Sequence, residues 1–214
     1  MTTTVSVGEE TAMMAIDLVP VHPGLTEGIR ALYGETPCLS TRCPPEGIQG
    51  WVQGSIRRRE ADEEYSYAIL RDTGLVGLCS LRGITSEPRT ARLAYLIGRR
   101  HWRRGYATEA TGMLIAFGFR FLTLDRIYSS CLPDNAGARR VLEKLGFRYT
   151  HEGPMPDPGP GQSERLLHFE FSRRQWDGPH NDSALACGAT GMTLHTRTPA
   201  ARKKIMRNTH RICG

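Results

Sequence analysis

The sequence lacks the usual marks of a metal centre, a disulfide framework and a membrane anchor. None of its six cysteines forms a Cys-x-x-Cys pair, and no histidine and cysteine cluster has the spacing of zinc ligands. There is no run of about 18 apolar residues and no basic amino-terminal segment followed by a long apolar one. We therefore expect a cytoplasmic, reduced protein with no membrane span and no metal, in which Cys79 and Cys131 are free buried thiols.

Apolar residues are also scarce, at 39% of the 214 residues, which is low for a chain that packs along its whole length. The formal net charge is +6, but residues 175–214 hold six Lys/Arg and two Asp, which is +4 and leaves +2 for the rest. We therefore do not expect the body to bind nucleic acid, although the tail could act as a weak electrostatic arm. We predict a flexible leader over residues 1–13, one folded domain over 14–176 and a basic, unstructured tail over 177–214.

Hydrophobic periodicity predicts strands and helices in the order β-α-α-β-β-β-α-β-α-β-β. A hairpin-rich first half followed by alternating strands and helices indicates an α+β fold, with a mixed sheet flanked by helices. The third helix should turn one apolar stripe to the core, with Phe121 at its end. The predicted strands cover 15–21, 64–71, 75–81, 90–98, 126–131, 147–151 and 165–171, and the predicted helices cover 25–33, 45–59, 106–121 and 133–145.

The stretch from Tyr95 to Phe147 is the part of the chain most suggestive of function. A β-branched and aromatic run, residues 95–97, leads through a basic loop, residues 102–107, into a helical pattern. Free backbone N–H groups at a helix start, reinforced by the helix dipole, favour a phosphate-bearing ligand. Four arginines add positive charge there, namely Arg99, Arg100, Arg103 and Arg104.

Three motifs in this stretch resemble the GNAT superfamily of N-acetyltransferases, and more narrowly its RimJ/RimL-type branch. The loop reads Trp102-Arg103-Arg104-Gly105-Tyr106-Ala107, in which Gly105 and Ala107 occupy the small positions of the family pattern Q/R-x-x-G-x-G/A. Trp102 stands at its first position, as is common in this branch. Asn135 and the run from Val141 to Phe147 follow at the expected distance. The resemblance covers residues 14–176 and implies a central sheet whose strands splay apart.

The resemblance implies acetyl-CoA as the co-substrate and no metal. Leu96, Ile97 and Gly98 would contact the pantetheine arm through their backbone, and Asn135 through its side chain. The pyrophosphate would lie on the loop residues Trp102, Arg103, Arg104, Gly105, Tyr106 and Ala107. Other interpretations stay open: the glycines could serve turns or close packing, the arginines could form a solvated surface, and Asn135 could cap a helix.

The catalytic acid and base are not identified by the sequence. In the family, a Tyr in the helix after the Asn, a Ser three residues after it and a Glu before the loop often serve. Those positions hold Leu142, Ala138 and Arg92 here. The candidates are Glu87, Glu64 and Tyr65, whereas Glu109 is explained by the helix dipole. A free backbone N–H near Leu96 or Ile97 could stabilise the reacting oxygen.

We therefore expect an acetyl-CoA-dependent N-acetyltransferase whose acceptor is a primary amine, either a protein N-terminus or a small molecule. The alternative is a degenerate acyl-CoA-binding domain that regulates or scaffolds, and a third hypothesis assigns a nucleic-acid or ribosome-associated role to the basic tail. The acceptor site of the family lies near residues 34–59 and 153–163. We expect no membrane partner and either a monomer or a homodimer.

Overall fold

A computed structural model describes residues 16–35, 46–154 and 165–177 of the chain. The predicted order of strands and helices is confirmed there, and one short helix is added at the end. The elements are β1 (Asp17–Pro20), α1 (Thr26–Gly34), α2 (Gly47–Glu60), β2 (Glu64–Arg71), β3 (Gly74–Arg82), β4 (Thr90–Ile97), α3 (Tyr106–Arg120), β5 (Arg126–Cys131), α4 (Ala136–Lys144), β6 (Arg148–Pro154), β7 (Arg165–Ser172) and α5 (Arg173–Trp176).

The strands form one seven-stranded sheet in the order β1-β2-β3-β4-β5-β7-β6. Among the described strands, β4 and β5 are the only parallel pair, and the other neighbouring pairs are antiparallel. The predicted fold class, a mixed sheet flanked by helices, is therefore confirmed. The single parallel contact follows from the crossover through α3, which connects β4 to β5.

Alternating side chains divide β4 between two hydrophobic clusters. Leu93 and Ile97 point to the larger cluster, which also contains the buried residues of α3 and α4. Leu96 points to the smaller cluster, which contains the buried residues of α1 and α2. This alternation is the period of two that a strand with both faces covered requires. The sheet thus carries α3 and α4 on one face and α1 and α2 on the other.

The burial of α3 differs from the single stripe that the sequence predicts. The helix is buried on nearly every side, yet Phe121 just after it is 37% exposed. The burial of α3 is wider than predicted because of α5, a helix that the sequence analysis did not foresee. Its Trp176 ring stacks on Phe119 at 5.5 Å and covers a side of α3 that would otherwise face solvent.

Three further expectations can be compared with the fold. Cys79 and Cys131 are buried and free, as predicted. Across the three described ranges, no helix is long and apolar enough to cross a membrane, and no group of three or more metal-ligating side chains occurs. The predicted leader, the tail from residue 178 onward and the loops 36–45 and 155–164 lie outside the described residues.

Candidate functional site

The candidate site is a gap between β4 and β5. The two strands pair only from Thr90 to Arg92, opposite Arg126 to Tyr128, although β4 continues to Ile97. Beyond the last pair the strands diverge, and the hydroxyl of Ser129 donates to the carbonyl of Leu93 at 3.2 Å. The splay that the family resemblance implies is therefore present at the carboxyl end of β4.

The register of β4 against β3 sets which backbone groups face this gap. The amide of Gly98 donates to the carbonyl of Val76 at 2.9 Å, so the alternate residue Leu96 also turns its amide toward β3. The amides of Tyr95 and Ile97 then point toward the gap. Of the two residues proposed from the sequence to stabilise an oxygen, Ile97 rather than Leu96 is favoured by this geometry.

The basic loop shapes the entrance to α3. Arg103 and Gly105 both have positive φ angles, of 61° and 84°, and Gly105 is the residue that precedes the helix. Such a backbone turns successive N–H groups to one side, and the first amides of a helix have no partner within it. A Cβ atom added at Gly105 would meet no atom within 4 Å, so the space above these amides is open to a ligand.

Side chains around the loop differ in what they can contact. Arg103 and Arg104 are exposed, whereas Arg100 pairs with Glu35 of the segment after α1 at 3.0 Å. Tyr106 is 2% exposed, and its hydroxyl accepts a hydrogen bond from Arg71. Tyr106 can therefore offer only its backbone to a ligand.

Two other loop residues have structural contacts of their own. The indole of Trp102 donates to the carbonyl of Ile97 at 2.7 Å and fastens the loop to the end of β4. A Cβ atom on Gly98 would lie 2.8 Å from the Leu32 side chain, so glycine is needed there for α1 to pack. Desolvation lowers the pKa of His101, with a further contribution from the positive charges of Arg100 and Arg104.

The far side of the gap is formed by the start of α4. The side-chain oxygen of Asn135 accepts from the amide of Ala138 at 3.0 Å, which makes Asn135 the N-cap of the helix. The hydroxyl of Tyr95 donates to the carbonyl of Ala138, also at 3.0 Å, and so links β4 to α4 across the gap. Burial raises the pKa of Tyr95 well above its ordinary value, which keeps this hydroxyl protonated.

Two of the three catalytic candidates, Glu64 and Tyr65, have hydrogen-bond partners of their own. Glu64 is buried and accepts from Arg58 at 2.7 Å, and the hydroxyl of Tyr65 donates to Asp62 at 2.6 Å. Through β3, Glu64 and Tyr65 lie level with Arg92 and Leu93 of β4, where the pairing of β4 with β5 ends. Both are on β2, however, which β3 separates from β4, so neither residue borders the gap directly. Glu87 precedes β4, before the first residue that pairs with β5.

The structure also shows the surroundings of Glu109 and of the three positions at which the family often has an acid or a base. Leu142 is fully buried in the larger cluster, and Ala138 packs against it. Glu109 is half-buried; burial raises the pKa of its carboxyl, while a hydrogen bond from the Ile16 backbone opposes that shift. Arg92 is exposed and points to the opposite face from α3 and α4.

The sequence analysis missed a pocket of about 290 Å³ on this opposite face, over β4, β5, β7 and β6. The rings of His151 and His168 stack there, with centroids 4.5 Å apart and planes 8° from parallel. The only signal in the sequence was the alternation of β7, in which His168 and Glu170 stand between apolar neighbours. The pocket is lined by Arg92, Tyr128, Ser129, Ser130, Thr150, His151, His168, Phe169 and Glu170.

Comparison with known proteins agrees with this architecture. The family model described as "Acetyltransferase (GNAT) domain" matches residues 29–148. The N-acetyltransferase p20 of Bacillus licheniformis, named as uncharacterized, is 30% identical over 116 residues, which cover 53% of this chain and 64% of p20. YjcK of Bacillus subtilis (strain 168), named as a probable N-acetyltransferase, is 39% identical over 105 residues, or 48% of this chain and 58% of YjcK.

The chain thus spans only about three fifths of these two relatives. Among solved structures, Mycobacterium smegmatis RimJ in complex with CoA-disulfide superimposes with a TM-score of 0.67 at 19% identity. The superposition covers 82% of this chain and 90% of RimJ, and at this identity it establishes the fold alone. Because the family model spans more than half of the sequence, the chain belongs to the GNAT acetyltransferase domain family.

Proposed function

We propose that the protein is an N-acetyltransferase that uses acetyl-CoA to acetylate a primary amine. Two features together carry this proposal. One is the β4–β5 gap, and the other is the backbone from Arg103 to Ala107 at the start of α3, whose N–H groups turn to one open side and form what we call the nest. A strand gap accepts an extended chain, and a nest at a helix terminus accepts a phosphate. The names of the relatives p20 and YjcK support the same activity.

The chain offers a specific group for each part of such a ligand. The amides from Arg103 to Ala107 would hold the pyrophosphate, with Arg103 and Arg104 adding charge from the solvent side. The backbone of Ile97 and the amide side chain of Asn135 would bind the pantetheine arm. When bound, acetyl-CoA supplies an acetyl group on a thioester, which is activated for transfer to an amine.

The protein's own contribution is alignment and electrostatics. The amide of Ile97 can donate a hydrogen bond to a carbonyl oxygen in the gap, because the β4 register turns this N–H away from β3. Holding two reactants in the right geometry can lower the barrier by several kcal/mol, on the order of 7–11. The acceptor would be a protein N-terminal α-amine or a small-molecule amine.

A second candidate, an acyl-CoA-binding domain without catalysis, is favoured by one observation. Leu142, Ala138 and Arg92 occupy the places at which the family often has an acid or a base. The two candidates are separated by measuring CoA binding by calorimetry and thiol release with acetyl-CoA and a panel of peptides and small amines. Turnover with any amine supports the transferase, whereas tight CoA binding without turnover supports the second candidate.

The nest can be tested directly with Gly105→Glu. The new side chain would place a negative charge where the pyrophosphate is proposed to lie, and it would strain a residue whose φ is +84°. Losing two hydrogen bonds to a charged group corresponds to a fall in affinity of about a hundredfold or more. The measurement is the Kd for CoA by isothermal titration calorimetry.

Gly83→Glu is the matched control for this variant. Gly83 also has a positive φ, of +62°, and open space around its Cβ position, but it lies in the connection from β3 to β4. We expect the control to lose similar stability and to bind CoA as the unchanged protein does. If both variants bound CoA with unchanged affinity, the nest would not be the phosphate site.

A further inference from the structure

Two arginines on one face of the sheet, Arg82 and Arg92, lie side by side and form what we call the arginine pair. Arg82 is the last residue of β3 and the direct partner of Arg92 on β4. Their neighbours Leu81 and Leu93 belong to the larger cluster, so both arginines point to the opposite face from α3 and α4. Both are exposed, and neither side chain forms an ion pair or a hydrogen bond with another described residue. Like charges directly opposite each other destabilise a sheet, and a bound anion would remove that cost.

The carboxylates at the same level of the sheet are already engaged. Across β2, β3, β4, β5 and β7, the direct partners at this level are Glu64, Arg82, Arg92, Tyr128 and Glu170. Glu64 accepts from Arg58 at 2.7 Å, and Glu170 pairs with Arg126 at 3.2 Å. The arginine pair therefore keeps its positive charge, and guanidinium groups are well suited to bind a carboxylate in two-point contacts.

The arginine pair lies where the gap opens. Arg92 and Tyr128 are the last residues that pair β4 with β5. Ser130, the next residue of β5 on the same face, is half-buried beyond that pair. All three residues line the pocket, so the pocket borders the gap on this face. The nest belongs to α3 on the other face, which leaves the pocket face for the entry of a second reactant.

The spacing along β4 limits which acceptors can reach both the gap and the arginine pair. The amides of Tyr95 and Ile97 point toward the gap and lie beyond Arg92 on the same strand. At about 3.3 Å per residue, roughly 10–16 Å of strand separates them from Arg92. The amine and carboxylate of an α-amino acid share one carbon, so a single amino acid is too short. An extended peptide of about three to five residues spans this distance.

We propose that the acceptor is the amino-terminal segment of an acidic peptide or protein, whose carboxylate the arginine pair binds; this inference rests on the proposed function. The α-amine lies in the gap, and an Asp or Glu about three to five residues along the acceptor contacts Arg92 and Arg82. A polyamine does not fit this arrangement. The carboxylate that lines the pocket among the described residues is Glu170, and Arg126 already neutralises it.

The first test compares acceptor peptides that differ only in charge. Two hexapeptides with an amidated carboxyl end carry either Asp or Asn at the fourth position and are otherwise identical. Thiol release with acetyl-CoA gives kcat/KM for each. We expect a value about tenfold higher for the Asp peptide, as one charged hydrogen-bonded contact implies. Moving the Asp along the peptide should give the highest rate between the third and the fifth position.

Reversing the charge of Arg92 should reverse this preference. In Arg92→Glu, we expect kcat/KM to fall about tenfold or more with the Asp peptide and to rise with a matched Lys peptide. Arg82→Glu should show the same pattern with a smaller effect, because β3 lies one strand further from the gap. Arg174→Glu makes the same charge change at an exposed residue of α5 and is the control, which should keep the original preference.

CoA binding separates a lost acceptor contact from a damaged fold. The Kd for CoA, measured by isothermal titration calorimetry, should be the same in all three variants and in the unchanged protein, because the nest lies on other elements. A preference that reverses while the Kd for CoA stays constant would assign Arg92 to the acceptor.

Several outcomes would overturn the inference. Equal rates with the Asp and Asn peptides would refute the acidic acceptor and leave the proposed function intact. Faster turnover of free aspartate or of spermidine than of any peptide would do the same. Equal losses with the Asp, Asn and Lys peptides in Arg92→Glu would mean that Arg92 supports the fold of the site and does not bind a carboxylate. No turnover of the unchanged protein with any amine would refute the proposed function itself, and with it the role of the arginine pair in acceptor binding.

Discussion

At the residue scale, Asn135 illustrates how one side chain can serve both fold and ligand. Its oxygen accepts from the amide of Ala138 at 3.0 Å, as an N-cap does. This bond does not use the amide nitrogen, and the residue is exposed beside the gap. The two interpretations that the sequence left open, helix cap and cofactor ligand, are therefore compatible in one residue.

The two contributions of Asn135 can be separated by substitution. Asn135→Ser keeps an oxygen that can cap α4 but removes the amide donor, so we expect nearly unchanged stability and a KM for acetyl-CoA raised about tenfold. Asn135→Ala also removes the cap and should lower the free energy of unfolding by about 1 kcal/mol. Urea denaturation and steady-state kinetics measure the two effects. A KM for the Ser variant equal to that of the unchanged protein would leave Asn135 as a cap only.

Glu64 shows why a carboxylate is hard to interpret from sequence. Its side chain accepts hydrogen bonds from Arg58 and from the hydroxyl of Ser66 and is 7% exposed. Those partners come from α2 and from the same strand, so only the docking of the helix on the sheet brings them together. A buried carboxylate without them would have been a plausible base, and the letters of the sequence do not distinguish the two cases.

At the scale of elements, one glycine lets β3 and β4 approach closely beside the gap. Gly77 lies opposite Ile97, and a Cβ atom on Gly77 would be 2.3 Å from the carbonyl oxygen of Leu96. No side chain fits at that distance from a backbone atom. The glycine thus lets the carboxyl end of β4 lie against β3, five residues beyond the last residue of β4 that pairs with β5.

Gly77→Ala should consequently be severely destabilising. We expect the free energy of unfolding to fall by about 2 kcal/mol or more, because the strands must separate or twist to admit the methyl group. Gly74→Ala on the same strand is the control, since its Cβ would lie 3.6 Å from the nearest atom, the carbonyl oxygen of Arg71. Urea denaturation followed by circular dichroism compares the two. Equal stability of both variants would contradict the close approach.

Local patterns in the sequence predicted most elements but not their arrangement. The strands over 64–71 and 126–131 have the predicted bounds, because alternation and turn residues are local signals. The pairing of β7 between β5 and β6 joins residues far apart in sequence, so the stacked His151 and His168 could not be foreseen. The short helix α5 did have a signal, a capping box between Ser172 and Gln175, which the sequence analysis overlooked.

At the scale of the whole molecule, burial holds several weak acids in their protonated form. Burial is the largest cause of the raised pKa of each of Tyr65, Tyr67, Cys79 and Tyr95. The native state therefore binds these protons more tightly than the unfolded chain, in which thiols and phenols ionise near pH 8.5 and 10, about their ordinary values. The stability that they contribute is fully present below those values and is lost as the pH rises above them.

These raised pKa values predict that the free energy of unfolding falls steeply as the pH becomes alkaline. Between the unfolded and folded pKa values, each group lowers the free energy of unfolding by about 1.4 kcal/mol per pH unit. Tyr95→Phe should cost about 1 kcal/mol at pH 8, because the bond to the Ala138 carbonyl is lost, but its stability should fall less steeply above pH 10. The variant and the unchanged protein should therefore converge as the pH rises. Urea denaturation of the variant and the unchanged protein at pH 8, 10 and 11 measures this. Parallel curves for the two proteins would mean that Tyr95 is not buried across the gap in solution.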